Sequence, residues 1–217
     1  MKIIKRIARR LLNKSEKKRR FRMLRKLKSY FLATGWFKSV NDGLPVDAEG
    51  KPLPWYTYSF ITFISARIQP NMRVFEYGTG NSTLWWSECV ASVVACEHDE
   101  PWFLSISEKV PDNVDYRYCE LEYGGDYSKL ILSFSSDFDC IIIDGRDRVN
   151  CAKNALAALK ENGVIIWDNS EREQYQEGYD FLLENGFRRI DFWGLGPINS
   201  DQWCTSVFYR EENCLGI

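Results

Sequence analysis

The 217-residue sequence has no apolar run approaching the roughly 18–20 residues that a membrane-spanning helix requires, so no transmembrane segment is expected. It has no C-x-x-C pair, and its seven cysteines (residues 89, 96, 119, 140, 151, 204 and 214) are an odd number. Cys96 and Cys140 fall in apolar stretches, where a thiol packs as a small hydrophobe. The expectation is a reducing, cytoplasmic protein. There are no internal repeats and no low-complexity segments. The N-terminal stretch is too basic and too interrupted for a secretory signal, and its sparse serine disfavours, without excluding, a mitochondrial presequence.

Hydrophobic residues make up 45% of the chain and argue for a globular core; the length suits one domain plus an extension. The net charge of −1 hides a split. Residues 1–29 contain fourteen of the 29 Lys/Arg and one acid, Glu16, so this arm carries about +13 and the remainder about −14. Ile3, Ile4, Ile7 and Leu11 form one apolar stripe and Leu24, Leu27 and Phe31 another, which predicts one or two basic amphipathic helices over residues 2–32. Such an arm can pack on the domain or on a second copy, lie on anionic lipid, or bind nucleic acid through phosphates. No aromatic ladder interleaves the basic run, so nucleic acid ranks last. We divide the chain into a helical arm (1–38), a linker with an aromatic helix (39–72) and a ligand-binding domain (73–217).

Residues 39–54 are turn-rich, and residues 55–68 read as an aromatic helix lying on the sheet. Strands then alternate with helices in the pattern of a doubly wound α/β sheet. Strands are predicted at 73–77, 92–97, 114–121, 139–144 and 164–169, and an antiparallel pair at 188–194 and 204–210 closes the sheet. A helix over 149–160 is expected to stop at Asn162 and Gly163. Ser170 and Glu173 form an S-x-x-E capping box for the helix that follows.

The stretch VFEYGTGNST, residues 74–83, organises the rest. A strand breaks at Gly78 and Gly80, and Ser82 opens a helix, making a backbone turn that a ligand can approach closely. The third small residue of a dinucleotide fingerprint is replaced by Thr83, and Glu76 two positions before the first glycine favours a cationic ligand over a pyrophosphate. Glu97, nineteen residues after Gly78 at the end of the second strand, can accept both ribose hydroxyls.

This E-x-G-x-G-x-S stretch resembles motif I of the class I S-adenosylmethionine-dependent methyltransferases. The resemblance covers about residues 70–210 and implies a Rossmann-like sheet, mostly parallel, with an antiparallel C-terminal strand behind the N-terminal helical extension. It implies that Glu76, Gly78, Gly80, Ser82, Glu97, His98 and Asp144 contact the donor. The lone histidine, His98, would flank the adenine rather than act as a base; either Glu120 or Asp126 would reach the adenine edge. Trp55 and Tyr56 would roof the acceptor. An acid after strand four and D-N after strand five also resemble the cation-dependent O-methyltransferases, in which Mg²⁺ holds two neighbouring substrate oxygens. Adjacent strands lie about 4.8 Å apart, so Asp144, Asp168 and Asn169 can converge as an oxygen-only set suited to Mg²⁺. Where those enzymes carry a basic lysine, this chain has Asp147, between Arg146 and Arg148; Asp144 and Asp147 are the candidate catalytic groups. Arg146, Arg148 and Arg172 suggest an anionic acceptor. The expected activity is O-methylation of a small molecule or glycan precursor. The alternatives are a nicotinamide-dependent oxidoreductase and a non-catalytic binding module. The sequence leaves the oligomeric state open.

Overall fold

A computed structural model describes residues 2–217, with side chains from Lys14 onward. The arm is a single helix, α1 (Lys2–Ala33), followed by a short α2 (Trp36–Asp42). Gly35 makes the corner between them with φ of +75°, and a Cβ there would stand 2.3 Å from the Asp47 carbonyl carbon. Only glycine fits that crossing. The corner is tied to the domain: Trp36 Nε1 donates to the Asn199 carbonyl at 2.9 Å, and the Tyr30 and Tyr58 rings meet edge-on at 6.4 Å.

After a turn-rich crossing comes α3 (Tyr58–Ser65), with the Thr57 side chain capping its first turn. The domain then runs β1 (Arg73–Tyr77), α4 (Asn81–Cys89), β2 (Ser92–Glu97), α5 (Glu100–Ser107) and β3 (Val114–Tyr118). It continues through α6 (Asp126–Lys129), β4 (Phe138–Ile143), α7 (Arg148–Ala155), β5 (Leu159–Asp168), α8 (Gln176–Glu184), β6 (Arg188–Gly194) and β7 (Trp203–Tyr209). The seven strands lie in the order β3-β2-β1-β4-β5-β7-β6. All neighbours are parallel except β5·β7 and β6·β7. This is the expected doubly wound sheet with its antiparallel end. The chain order reverses between β1 and β4, and in such sheets ligands bind beyond the strand ends at that reversal.

Alternation along the central strands divides the core. Phe75, Tyr77, Ile141, Ile143, Ile165 and Trp167 face one side; Val74, Cys140, Ile142, Val164 and Ile166 face the other, with Tyr56, Phe60 and Trp86. All seven cysteines are free thiols.

The third strand stops at Tyr118 rather than 121 and the aromatic helix is shorter than expected, and two further differences have a visible cause. The helix predicted over 149–160 ends at Ala155, because the N–H groups of residues 136–138 capture the carbonyls of Ala157 and Ala158. Residue 159 already belongs to β5, and Lys160 reaches Asp139 at 2.9 Å. The Ser170 capping box does not form. The Ser170 hydroxyl lies 2.5 Å from Ser206 Oγ on β7, a 3-10 turn occupies Glu173–Tyr175, and α8 starts only at Gln176. Cross-sheet bonding to β7 has taken the capping hydroxyl away from the helix.

Candidate active site

At the β1–α4 corner, Gly78 turns with φ of +85°, and a Cβ on it would stand 2.7 Å from Gly145 after β4. The two strand-end loops therefore meet backbone to backbone at the reversal point. Glu76, two residues earlier on β1, is fully buried. The Thr83 hydroxyl accepts from the Gly80 N–H at 3.2 Å and donates to Glu76 Oε2 at 2.5 Å. The other oxygen, Oε1, is buried without a partner. Desolvation pushes the Glu76 carboxyl up to about 8; the Ser82 and Thr83 hydroxyls pull against it, and Asp144 and Glu97 add to the rise. A buried, half-satisfied acid behind Ser82 suits an incoming ammonium group, which would restore its charge.

Glu97 ends β2 with every carboxylate oxygen engaged. Oε2 accepts from the Thr79 N–H at 3.1 Å and the Thr79 hydroxyl at 2.7 Å; Oε1 accepts from the His98 and Asp99 amides at 2.7 and 2.9 Å. It opens on a cavity of about 760 Å³ whose wall also includes Gly78, Ser82, His98, Trp102 and Asp144. The His98 ring stands edge-on to Tyr127 at 5.6 Å, with Nδ1 2.9 Å from Glu97 Oε1. Gly80 does not line the cavity, since its amide serves Thr83. Trp102, unremarked in the sequence, donates from Nε1 to the Thr79 carbonyl at 2.8 Å and forms one wall. Neither Glu120 nor Asp126 borders this space; both open onto a separate hollow of about 360 Å³. The adenine-edge role expected for one of them is therefore withdrawn.

Asp144, Asp168 and Asn169 do converge, but on a guanidinium. Arg148 is 5% exposed and reaches across from the start of α7. Its Nη2 donates to Asp144 Oδ1 at 3.1 Å, to the Asp144 carbonyl at 2.8 Å and to Asn169 Oδ1 at 3.4 Å; Nη1 donates to the Asp168 carbonyl and Nε to the Gly145 carbonyl at 2.9 Å. Asp168 Oδ1 accepts from Trp203 Nε1 at 3.0 Å and from Thr205 Oγ1 at 2.6 Å. No group of three His, Cys, Asp or Glu among the described residues is placed to hold a metal ion. The Mg²⁺ site expected from the sequence is not supported: Arg148 takes one oxygen each of Asp144 and Asn169, and Trp203 and Thr205 hold Asp168 Oδ1. Burial raises the Asp144 carboxyl to about 6 although its side chain remains 23% exposed, and Arg148 and Arg172 restrain the rise. Burial and the Asp144 charge push Asp168 well above the carboxylate range.

Asp147 does not sit as a base. It is 7% exposed in a left-handed conformation (φ 49°), with Oδ2 accepting the Gly124 N–H at 2.8 Å and Oδ1 the Asn150 amide at 2.7 Å. Its carboxylate fastens two loops. Tyr56 is also corrected: it is wholly buried and its hydroxyl faces Trp86 Nε1 at 3.3 Å. Trp55 is 43% exposed and forms part of two walls, that of the larger cavity and that of a neighbouring one of about 320 Å³. Asp168, Asn169, Arg172, Asn199 and Trp203 complete the smaller cavity with Asp144.

This fold is the Rossmann-like fold of the class I S-adenosylmethionine-dependent methyltransferases. Precorrin-6y C5,15-methyltransferase from Geobacter metallireducens superposes with a TM-score of 0.56 at 14% identity, over 70% of this chain and 87% of that one. An rRNA methylase from Streptococcus thermophilus gives 0.52 at 12% identity, over 69% and 93%. A methyltransferase candidate from Streptococcus mutans, solved with S-adenosylhomocysteine, gives 0.50 at 13% identity, over 68% and 94%. No protein-family model matches the sequence, and no curated protein matches it.

Proposed function

We propose that the chain is an S-adenosylmethionine-dependent methyltransferase that acts on an oxygen of a small molecule or glycan precursor. The observation that supports this best is the unpartnered Glu76 Oε1, buried behind a cavity wall that Ser82 and Glu97 form at the reversal point of the sheet. The donor supplies an electrophilic methyl group, so the chain itself needs to bind, orient and remove a proton.

In this reading Glu76 takes the donor's ammonium charge and Glu97 the ribose hydroxyls, with Thr79 yielding its hydrogen bond. His98 and Trp102 flank the base. Asp144 borders both cavities and, with a carboxyl near 6, accepts the proton of the acceptor hydroxyl as the methyl group passes to oxygen. Arg148 holds Asp144 and Asn169 in place from behind.

The arm belongs to the same proposal as a contact with anionic membrane surface. Phe21, Leu24 and Leu27 are each more than half exposed on α1, and residues 1–29 carry fourteen Lys/Arg against one acid. No helix among the described residues is long and apolar enough to cross a membrane. A cytoplasmic location, with the arm on the inner leaflet, fits this reading.

The test is competitive equilibrium binding of S-adenosylmethionine against NADH. Saturable donor binding that NADH does not displace is expected; tight NADH binding without any response to the donor would overturn the proposal.

A further inference from the structure

We infer that the smaller cavity is a seat for a single sugar ring bearing an anionic group, a carboxylate or a phosphate. The inference rests on the methyltransferase reading and names its acceptor class. Its first support is chemical. The cavity is lined by the exposed Trp55, by the largely buried Trp203, and by Asn169, Asn199 and Asp168. An exposed indole such as Trp55 suits the apolar face of a pyranose, and amide and carboxyl groups suit its hydroxyls. The Asn169 and Asn199 side-chain amide nitrogens make no hydrogen bond among the described residues, so both have donors to offer. A volume of about 320 Å³ lies at the small end for ligand sites and suits one ring rather than a polycycle.

The second support is the way the cavities join. Trp55 and Asp144 are shared by the sugar seat and the donor cavity, so a hydroxyl in the seat can meet the methyl group at Asp144. Arg172 is shared by the seat and a third cavity, and Arg146 by that third cavity and the donor cavity. Arg146 is exposed and enters no ion pair among the described residues; the nearest carboxylate to Arg172 is Glu171, 3.7 Å away. The other cations of the third cavity are already used: Lys153 is paired with Glu177 at 2.6 Å, and Arg148 is buried on Asp144. Arg172, held only by a long pair to Glu171, thus stands at the seat, and Arg146, unpaired among the described residues, on the adjoining cavities, where a planar fork can grip a carboxylate or phosphate.

The test is calorimetry with the full chain saturated in S-adenosylhomocysteine. The probes are neutral hexoses, hexuronic acids, hexose phosphates (gluco, galacto and manno forms of each), inorganic phosphate and catechol. At least one charged sugar should bind roughly tenfold or more tightly than its neutral parent and than phosphate alone. Arg172→Gln should erase that margin, and Trp55→Ala should weaken charged and neutral sugars alike; both side chains are solvent-exposed, so folding should survive. Phosphate binding as well as its sugar ester, preference for catechol, or no saccharide binding at all would overturn the inference. S-adenosylhomocysteine affinity, measured by titrating it into the same protein before the sugars are added, reports separately on the methyltransferase reading. A hexuronate preference would place the anion as carboxylate, and a hexose phosphate preference as phosphate.

Discussion

The Thr83 hydroxyl bridges the turn to the strand, taking the Gly80 N–H and donating to Glu76 Oε2 at 2.5 Å. One hydroxyl therefore fixes the glycine turn and leaves a single oxygen of Glu76 unsatisfied. In the sequence, Thr83 is only a departure from a dinucleotide fingerprint; in the fold it presets the acid.

Glu76 should make the ligand-free protein less stable as pH rises. Its carboxyl lies near 8 when folded and near 4.3 when unfolded, so between those values the folded chain holds a proton that the unfolded chain does not. Stability then falls from about pH 4 to about pH 8, and this group contributes no further change above. Glu76→Gln should flatten the profile and raise Tm at pH 9 by on the order of 10 °C, since the shift is worth about 5 kcal/mol at roughly 2–4 °C per kcal/mol for a chain of this size. Thermal melts across pH 5–9 check it; parallel profiles for both proteins would contradict it.

Arg148 should behave as a structural cation. Arg148→Met leaves the Asp144 carboxylate without its buried partner and should cost about 3–5 kcal/mol in denaturant unfolding. Excess EDTA should leave Tm and donor affinity unchanged. A rise in Tm with millimolar Mg²⁺ that EDTA reverses would restore the metal reading.

Asp144 and Asp147 should separate cleanly. Asp147→Asn loses acceptor strength toward Gly124 and Asn150, a loss of about 1 kcal/mol in stability, with turnover kept. Asp144→Asn should abolish most turnover and the rise in rate through about pH 6. Turnover can be followed as S-adenosylhomocysteine release with any acceptor that binds. Equal rate losses in both variants would contradict the assignment.

The central sheet was legible because buried parallel strands read as apolar runs between glycine turns. Glu76 and Glu97 could be picked out because their spacing from Gly78 is local. What escaped was long-range. Arg148 looks like a solvated cation between Asp147 and Val149, and only the αL turn at Asp147 and the approach of β5 bury it. Ser170 has a sound capping pattern, but β7, more than 30 residues later, claims its hydroxyl. Trp102 carried no signal beyond its place in the helix after Glu97.

The arm should be dispensable for donor binding. Tyr30 and Phe31 pack against Tyr58 and Trp36, so a truncation should end before them. Removing residues 1–28 should leave donor affinity unchanged and strongly reduce co-sedimentation with anionic liposomes. High salt should do the same to the full chain, because the Debye length shrinks from about 10 Å at 0.1 M to about 3 Å at 1 M. Vesicle binding that survives truncation would place the contact elsewhere.

The most direct measurement is calorimetric titration of S-adenosylmethionine at pH 6.5 in two buffers of different ionisation enthalpy. The donor should bind with release of close to one proton, as its ammonium ionises Glu76. Glu97→Gln, which keeps an acceptor for the Thr79, His98 and Asp99 donors, should weaken binding at least tenfold, since charge-assisted bonds are worth about 1.5–3 kcal/mol each. Glu76→Gln should bind weakly and without proton release. Undiminished affinity in both folded variants, or no heat with the intact chain, would contradict a donor site at this corner.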